Sequence, residues 1–121
     1  MSKRRFPAEM EFHFSGFDWR IVFLDIEASD FGETDTDKKE VRIYYKNRSD
    51  QNVIETLIHE LEHVIMFELA DPVFRFEADR PHDMEENLVR LTSPRTFDLL
   101  RNNIKLMDFI VKRIKGLNEG K

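Results

Sequence analysis

The stretch ETLIHELEHVIMFEL, residues 55–69, decides how the rest of the chain is read. Together with the residues just before it, it sets Val53, Ile54, Leu57, Ile58, Leu61, Val64, Ile65 and Leu69 at helical steps. Such positions cover most of a helical circumference, so the helix is expected to lie centrally and buried rather than on a surface. Asn47-Arg48-Ser49-Asp50 supplies N-cap candidates in front of it. Asp71-Pro72 is expected to end it, because the residue before a proline resists the helical region.

Within this helix stand His59 and His63, four apart, with Glu60 directly after the first. Residues four apart on a helix lie one above the other, with Cβ atoms about 5–6 Å apart. Both rings can therefore offer a nitrogen at the roughly 2.0–2.1 Å that zinc requires. Glu60 points about 100° round the helix, where it can reach a water beside the metal rather than the metal's own position. A carboxylate base next to a zinc-activated water is the machinery of amide hydrolysis. The competing accounts are two satisfied core histidines or an exposed pair at helical spacing.

Upstream, residues 11–14 and 20–25 are rich in aromatic and β-branched side chains, and Ser15-Gly16 between them signals a turn, so a hairpin is expected. Residues 28–39 are polar and acidic around Gly32 and read as an exposed loop. Residues 40–46 alternate charged with apolar, the pattern of a half-buried strand. Downstream, Asp83 and Glu86 have capping-box spacing, which predicts a helix from about Met84 to Leu91. Ser93-Pro94 then starts a long amphipathic helix through Phe97, Leu100, Ile104, Met107, Val111 and Ile114. Strands first and helices after predict an α+β fold over 1–121 as one domain: a small antiparallel sheet, a buried helix and two further helices. Residues 1–8 and 116–121 are expected to fray.

A chain of 121 residues with 40% apolar composition and eleven phenylalanines suffices for one compact core. A net charge of −5 disfavours nucleic-acid binding, and the one basic run, Lys3-Arg4-Arg5, reads as a solvated tail. The absence of cysteine excludes disulfides, thiolate ligands and cysteine nucleophiles. No apolar h-region follows the N-terminal charges, and no run approaches the roughly 20 apolar residues of a membrane span. The expectation is a soluble cytoplasmic domain with no membrane or nucleic-acid partner.

Two histidines do not complete a catalytic zinc site, which takes three protein ligands and leaves one position open. The candidates lie in residues 80–89. Glu85 is preferred, because it shares the predicted helix face with Leu88 and Val89. Glu86 is second, as a helix start displaced by one residue exchanges the two. His82 is third and would make an all-histidine site; beside a Glu85-bound metal it is instead a candidate for stabilising an oxyanion, as are Tyr44 and Tyr45.

The strand of residues 41–46 (VRIYYK), ETLIHELEHVI and the later EENLVRL together resemble the compact zincin-like metallopeptidases of phages and bacteria, related to the ImmA/IrrE type and of gluzincin character. The resemblance covers roughly residues 32–103. It implies one Zn2+ per chain held by His59, His63 and Glu85, with Glu60 as general base. It also implies that an extended peptide adds along the strand before the metal helix, here residues 41–46. Two departures stand out. Glu62 is charged where the extended consensus carries an uncharged residue, and Glu86 stands where an alanine often follows the ligand glutamate. Nothing identifies the substrate. A metal-stabilised interaction module without catalysis is the alternative, and a metal-free domain self-associating through its last helix is a third expectation.

Overall fold

The computed structural model describes residues 5–75 and 81–119, with side chains for 5–68 and 86–119. Four strands come first, β1 (Glu9–Phe14), β2 (Phe17–Leu24), β3 (Gly32–Asp35) and β4 (Glu40–Tyr44). Three helices follow, α1 (Asp50–Arg75), α2 (Pro81–Asn102) and α3 (Ile104–Glu119). The α+β class is as expected. The sheet is mixed rather than antiparallel: its order is β1-β2-β4-β3, and β2 pairs with β4 in parallel.

The β1–β2 hairpin forms where expected. Ser15 (φ 55°) and Gly16 (φ 82°) take the paired left-handed conformations of a two-residue turn whose twist suits the flanking strands. The segment read as a loop contains β3, antiparallel to β4. Acidic residues are poor strand formers in isolation. Here Glu33 and Asp35 both lie beside Arg42 of β4, at 2.9 and 3.5 Å, and that neighbour is not visible in a local window.

One sheet face carries Phe12, Phe14, Trp19, Ile21, Phe23, Val41 and Ile43, all buried against Val53, Leu57, Leu61 and Val64 of α1. Phe6 joins this core, stacked on Phe23 at 5.4 Å and tilted against Tyr45 at 5.0 Å. Arg5 donates to the carbonyls of Tyr45 and Arg48 and pairs with Asp50. The N-terminal segment from Arg5 is therefore tied down rather than frayed, and α3 extends to Glu119.

The helices break in other places than predicted. α1 runs on through Pro72 to Arg75, since a proline removes one donor and disfavours the preceding residue without barring the helix. Asp83 lies inside α2 instead of capping it, and α2 continues through Ser93-Pro94. Around that proline, side chains take up backbone carbonyls: Thr92 Oγ1 donates to Leu88 O (2.8 Å) and Arg95 Nη1 to Leu91 O (2.8 Å). The break falls at Asn103, whose buried amide behaves as a strand residue would on the β1 edge. Its Oδ1 accepts from His13 N (2.7 Å), and its Nδ2 donates to His13 O (2.7 Å) and to Leu99 O (2.8 Å).

The strand expected to receive substrate, β4, is paired on both sides, with β2 and with β3, so its backbone groups are already committed. The free edge next to α1 is β3. No helix among the described residues is long and apolar enough to cross a membrane.

Candidate metal centre

α1 is not buried all round. Val53, Ile54, Leu57, Glu60, Leu61, Val64 and Ile65 form its buried stripe, while Glu55, Ile58, His59, Glu62, His63, Met66 and Phe67 are exposed. The helical register thus places both histidines at the surface and turns the glutamate between them inward. The Nε2 atoms of His59 and His63 lie 3.0 Å apart, and the rings meet edge to face at 84°. Two ligands on a tetrahedral zinc at about 2.05 Å stand about 3.3 Å from each other. The pair is therefore close to a chelating separation, and the same distance suits one nitrogen donating a hydrogen bond to the other.

Glu60 is 5% exposed. Thr34 Oγ1 of β3 donates to its Oε1 at 2.7 Å. Ligand atoms of His59, Glu60 and His63 all lie within 4.8 Å of one another, and two imidazoles with one carboxylate are donors that suit zinc. The close approach of β3 depends on Gly32. A Cβ there would stand 2.9 Å from Thr56 Cγ2, 3.1 Å from Arg42 O and 3.2 Å from Glu60 Cγ. Two clefts, of about 440 and 570 Å3, meet at Gly32, His59 and Glu60, and the larger also reaches Thr34, His63 and Phe67.

The reverse face of β3 is electrostatic. Glu33 Oε1 accepts from the Tyr44 hydroxyl (2.5 Å) and from Arg42 Nη1 (2.9 Å). These bonds, the tyrosine's first, hold the Glu33 carboxyl below the usual glutamate range. The same bond to Glu33 pushes the Tyr44 hydroxyl up. Arg42 Nε also reaches the buried Glu40 at 2.6 Å. Tyr44 is thus committed on the face away from the histidines, and Tyr45 is buried against Phe6, so neither serves as an oxyanion donor.

Among the expected ligands, His59 and His63 come together, with Glu60 beside them. The side chains of His82 and Glu85 lie outside the described residues. Glu86 is exposed on α2 and is not part of the donor cluster. Glu62 is exposed and borders a groove toward α2 and α3. Sequence reasoning missed Thr34 and Gly32. The isolated glycine in a polar segment was the one available signal, since glycine marks close backbone approach. No family model, no curated protein and no solved structure matches the chain.

Proposed function

We propose that this chain is a zinc-dependent metallopeptidase. His59 and His63 hold the ion, Glu85 is the third ligand, and Glu60 is the general base. The observation that carries this reading is the convergence of both Nε2 atoms, 3.0 Å apart, with a buried glutamate carboxyl in the same donor cluster. When bound, zinc supplies a Lewis acid for a substrate carbonyl and lowers the pKa of water.

The chain's own groups do the rest. Thr34 occupies Oε1 of Glu60 and leaves Oε2 to take the proton from water and return it to the leaving amine. Burial at the β3–α1 junction restricts the carboxylate to that orientation. The free edge of β3 offers main-chain groups to an extended peptide, in place of the paired β4. Glu85 falls within α2, which the Arg95–Glu68 ion pair (3.0 Å) ties to α1.

A second reading is favoured by one observation: Glu60 itself stands within the donor cluster. It would then be the third ligand of a structural ion in a non-catalytic interaction module. Elemental analysis of untagged protein separates the two. Under the first reading the wild type carries one zinc per chain, His59→Ala and Glu85→Gln lose it, and Glu60→Gln keeps zinc while peptide hydrolysis stops. Loss of zinc from Glu60→Gln, with Glu85→Gln unaffected, selects the second. A wild type that takes up no zinc ends both.

A further inference from the structure

β3 is a four-residue edge strand, yet among the described residues it carries the one hydroxyl bonded to the Glu60 carboxyl. Its attachment to α1 is held at both ends by a cation. At the entering end, Arg48 lies 4.0 Å over the Phe31 ring, and donates to Phe31 O (3.0 Å) and to Thr56 Oγ1 of α1 (2.6 Å). This guanidinium is half-buried and also bonds Asn52 Oδ1 at 2.5 Å, and burial pushes its pKa down.

At the leaving end stands Lys39, in the turn between β3 and β4. Its ammonium is 4.9 Å from the Phe17 ring centroid, 5.7 Å from Trp19 and 5.6 Å from Phe67. The first two rings belong to β2 and the third to α1, one turn beyond His63. Lys39 Nζ also donates to Thr36 O at 2.5 Å, and Lys39 O accepts from Arg20 N at 3.0 Å. The residue holds φ at 56°, a left-handed conformation that glycine would adopt without strain. A lysine there gives up backbone comfort and gains three ring contacts.

We propose that Lys39 is a positioning residue: its cation latches the β3–β4 turn onto α1 and so keeps Thr34 on Glu60. The two ends are unequal. Arg48 is half-buried and bonded to several acceptors, whereas Phe17 and Phe67 are 55% and 49% exposed and Lys39 Nζ donates, among the described residues, to a single carbonyl. Cation–π contacts are weak at exposed sites and strengthen on desolvation. β3 therefore releases from the Lys39 end first. What Glu60 does rests on the function proposed above; how it is held does not, and the test uses metal-free protein.

Three variants decide it: Lys39→Met, which keeps length without charge, Lys39→Arg, which keeps the cation, and Thr34→Val. Hydrogen exchange is followed over residues 32–36 and, as control, over β1 and β2. Emission is read from Trp19, the chain's single tryptophan. Lys39→Met is expected to speed exchange of β3 about fivefold while leaving β1 alone, and to shift Trp19 emission. Lys39→Arg restores both readings. Combining Lys39→Met with Thr34→Val accelerates β3 by less than the product of the single effects, because both act on one contact. Unchanged β3 exchange in Lys39→Met, acceleration spread evenly over the sheet, failure of arginine to rescue, or simple multiplication in the double variant overturns the proposal. Each of these results leaves the zinc reading to its own measurement.

Discussion

α1 meets its two neighbours on different terms. At Gly32 of β3 there is no room for a methyl group, although clefts of about 440 and 570 Å3 open beside it: a Cβ there would reach Thr56 at 2.9 Å and Glu60 at 3.2 Å. Toward α2 and α3 the same helix leaves a groove of about 530 Å3, bordered mainly by apolar side chains such as Ile58, Leu61, Met66, Leu99 and Met107. The difference follows from what each contact must hold. A buried carboxyl with a hydroxyl donor loses its hydrogen bond within a few tenths of an ångström, and leaving it unmade is costly. Apolar side chains facing a groove make non-directional contacts, and their burial scales with area rather than with geometry. The helix is packed tightly at the one point on the β3 side where a polar group needs positioning, and loosely along the apolar groove, where only area counts.

If that contrast is right, adding carbon has opposite signs on the two faces. Gly32→Ala should cost up to about 3 kcal/mol, since Arg42 O is backbone and neither Thr56 Cγ2 nor Glu60 Cγ is the loose end of a long chain. Urea unfolding measures it, and a neutral alanine would break the comparison at once. Thr34→Val comes next, at about 1–2 kcal/mol, because the Glu60 carboxyl loses the donor at 2.7 Å while the volume is kept. Thr34→Ser should recover most of the loss. On the other face Thr96→Leu is expected to stabilise by about 0.5–1 kcal/mol, through added apolar contact in the groove and better helix propensity. A destabilised Thr96→Leu would mean that the groove is less accommodating than its volume implies.

The same division explains what could be read in the sequence. His59, Glu60 and His63 were legible because their relation is set by one helix and needs no tertiary contact. The β1–β2 hairpin was legible for the same local reason, alternation on either side of Ser15-Gly16. β3 was not, since its acidic residues become acceptable only beside Arg42 of β4. With β3 went the parallel β2–β4 pairing, the burial of β4 inside the sheet, and the partners Gly32 and Thr34. The end of α2 was hidden likewise: the start signal at Ser93-Pro94 was overridden by carbonyl bonds from Thr92 and Arg95, and the true break is made by Asn103 on His13, ninety residues away in sequence. Phe6 eluded a reading that expects chain ends to fray, because its ring partners, Phe23 and Tyr45, lie far along the chain.

The smallest effect tests the tight face from its reverse side. Glu33 is held below the ordinary glutamate range by the Tyr44 hydroxyl and Arg42, and Asp35 below the ordinary aspartate range by the N–H of Lys38 and then that of Asp37. A carboxyl depressed in the folded state contributes stability above its unfolded value and loses it as pH falls through the folded one. The ordinary values are 4.5 and 3.8, so the loss begins below about pH 4.5 and is complete only in stronger acid. Both groups are open to solvent, which screens them and keeps the change modest. The urea midpoint of the wild type should therefore drop as the pH falls below about 4.5 and go on dropping in stronger acid, and Glu33→Gln, having lost its share already, should drop less. Thr96→Leu should move the whole profile up without changing its slope, because the groove it fills holds no part of this network. A Glu33→Gln profile parallel to the wild type would show that the charges behind β3 do not help to hold the strand, leaving Gly32, Thr34 and the two cations to do so.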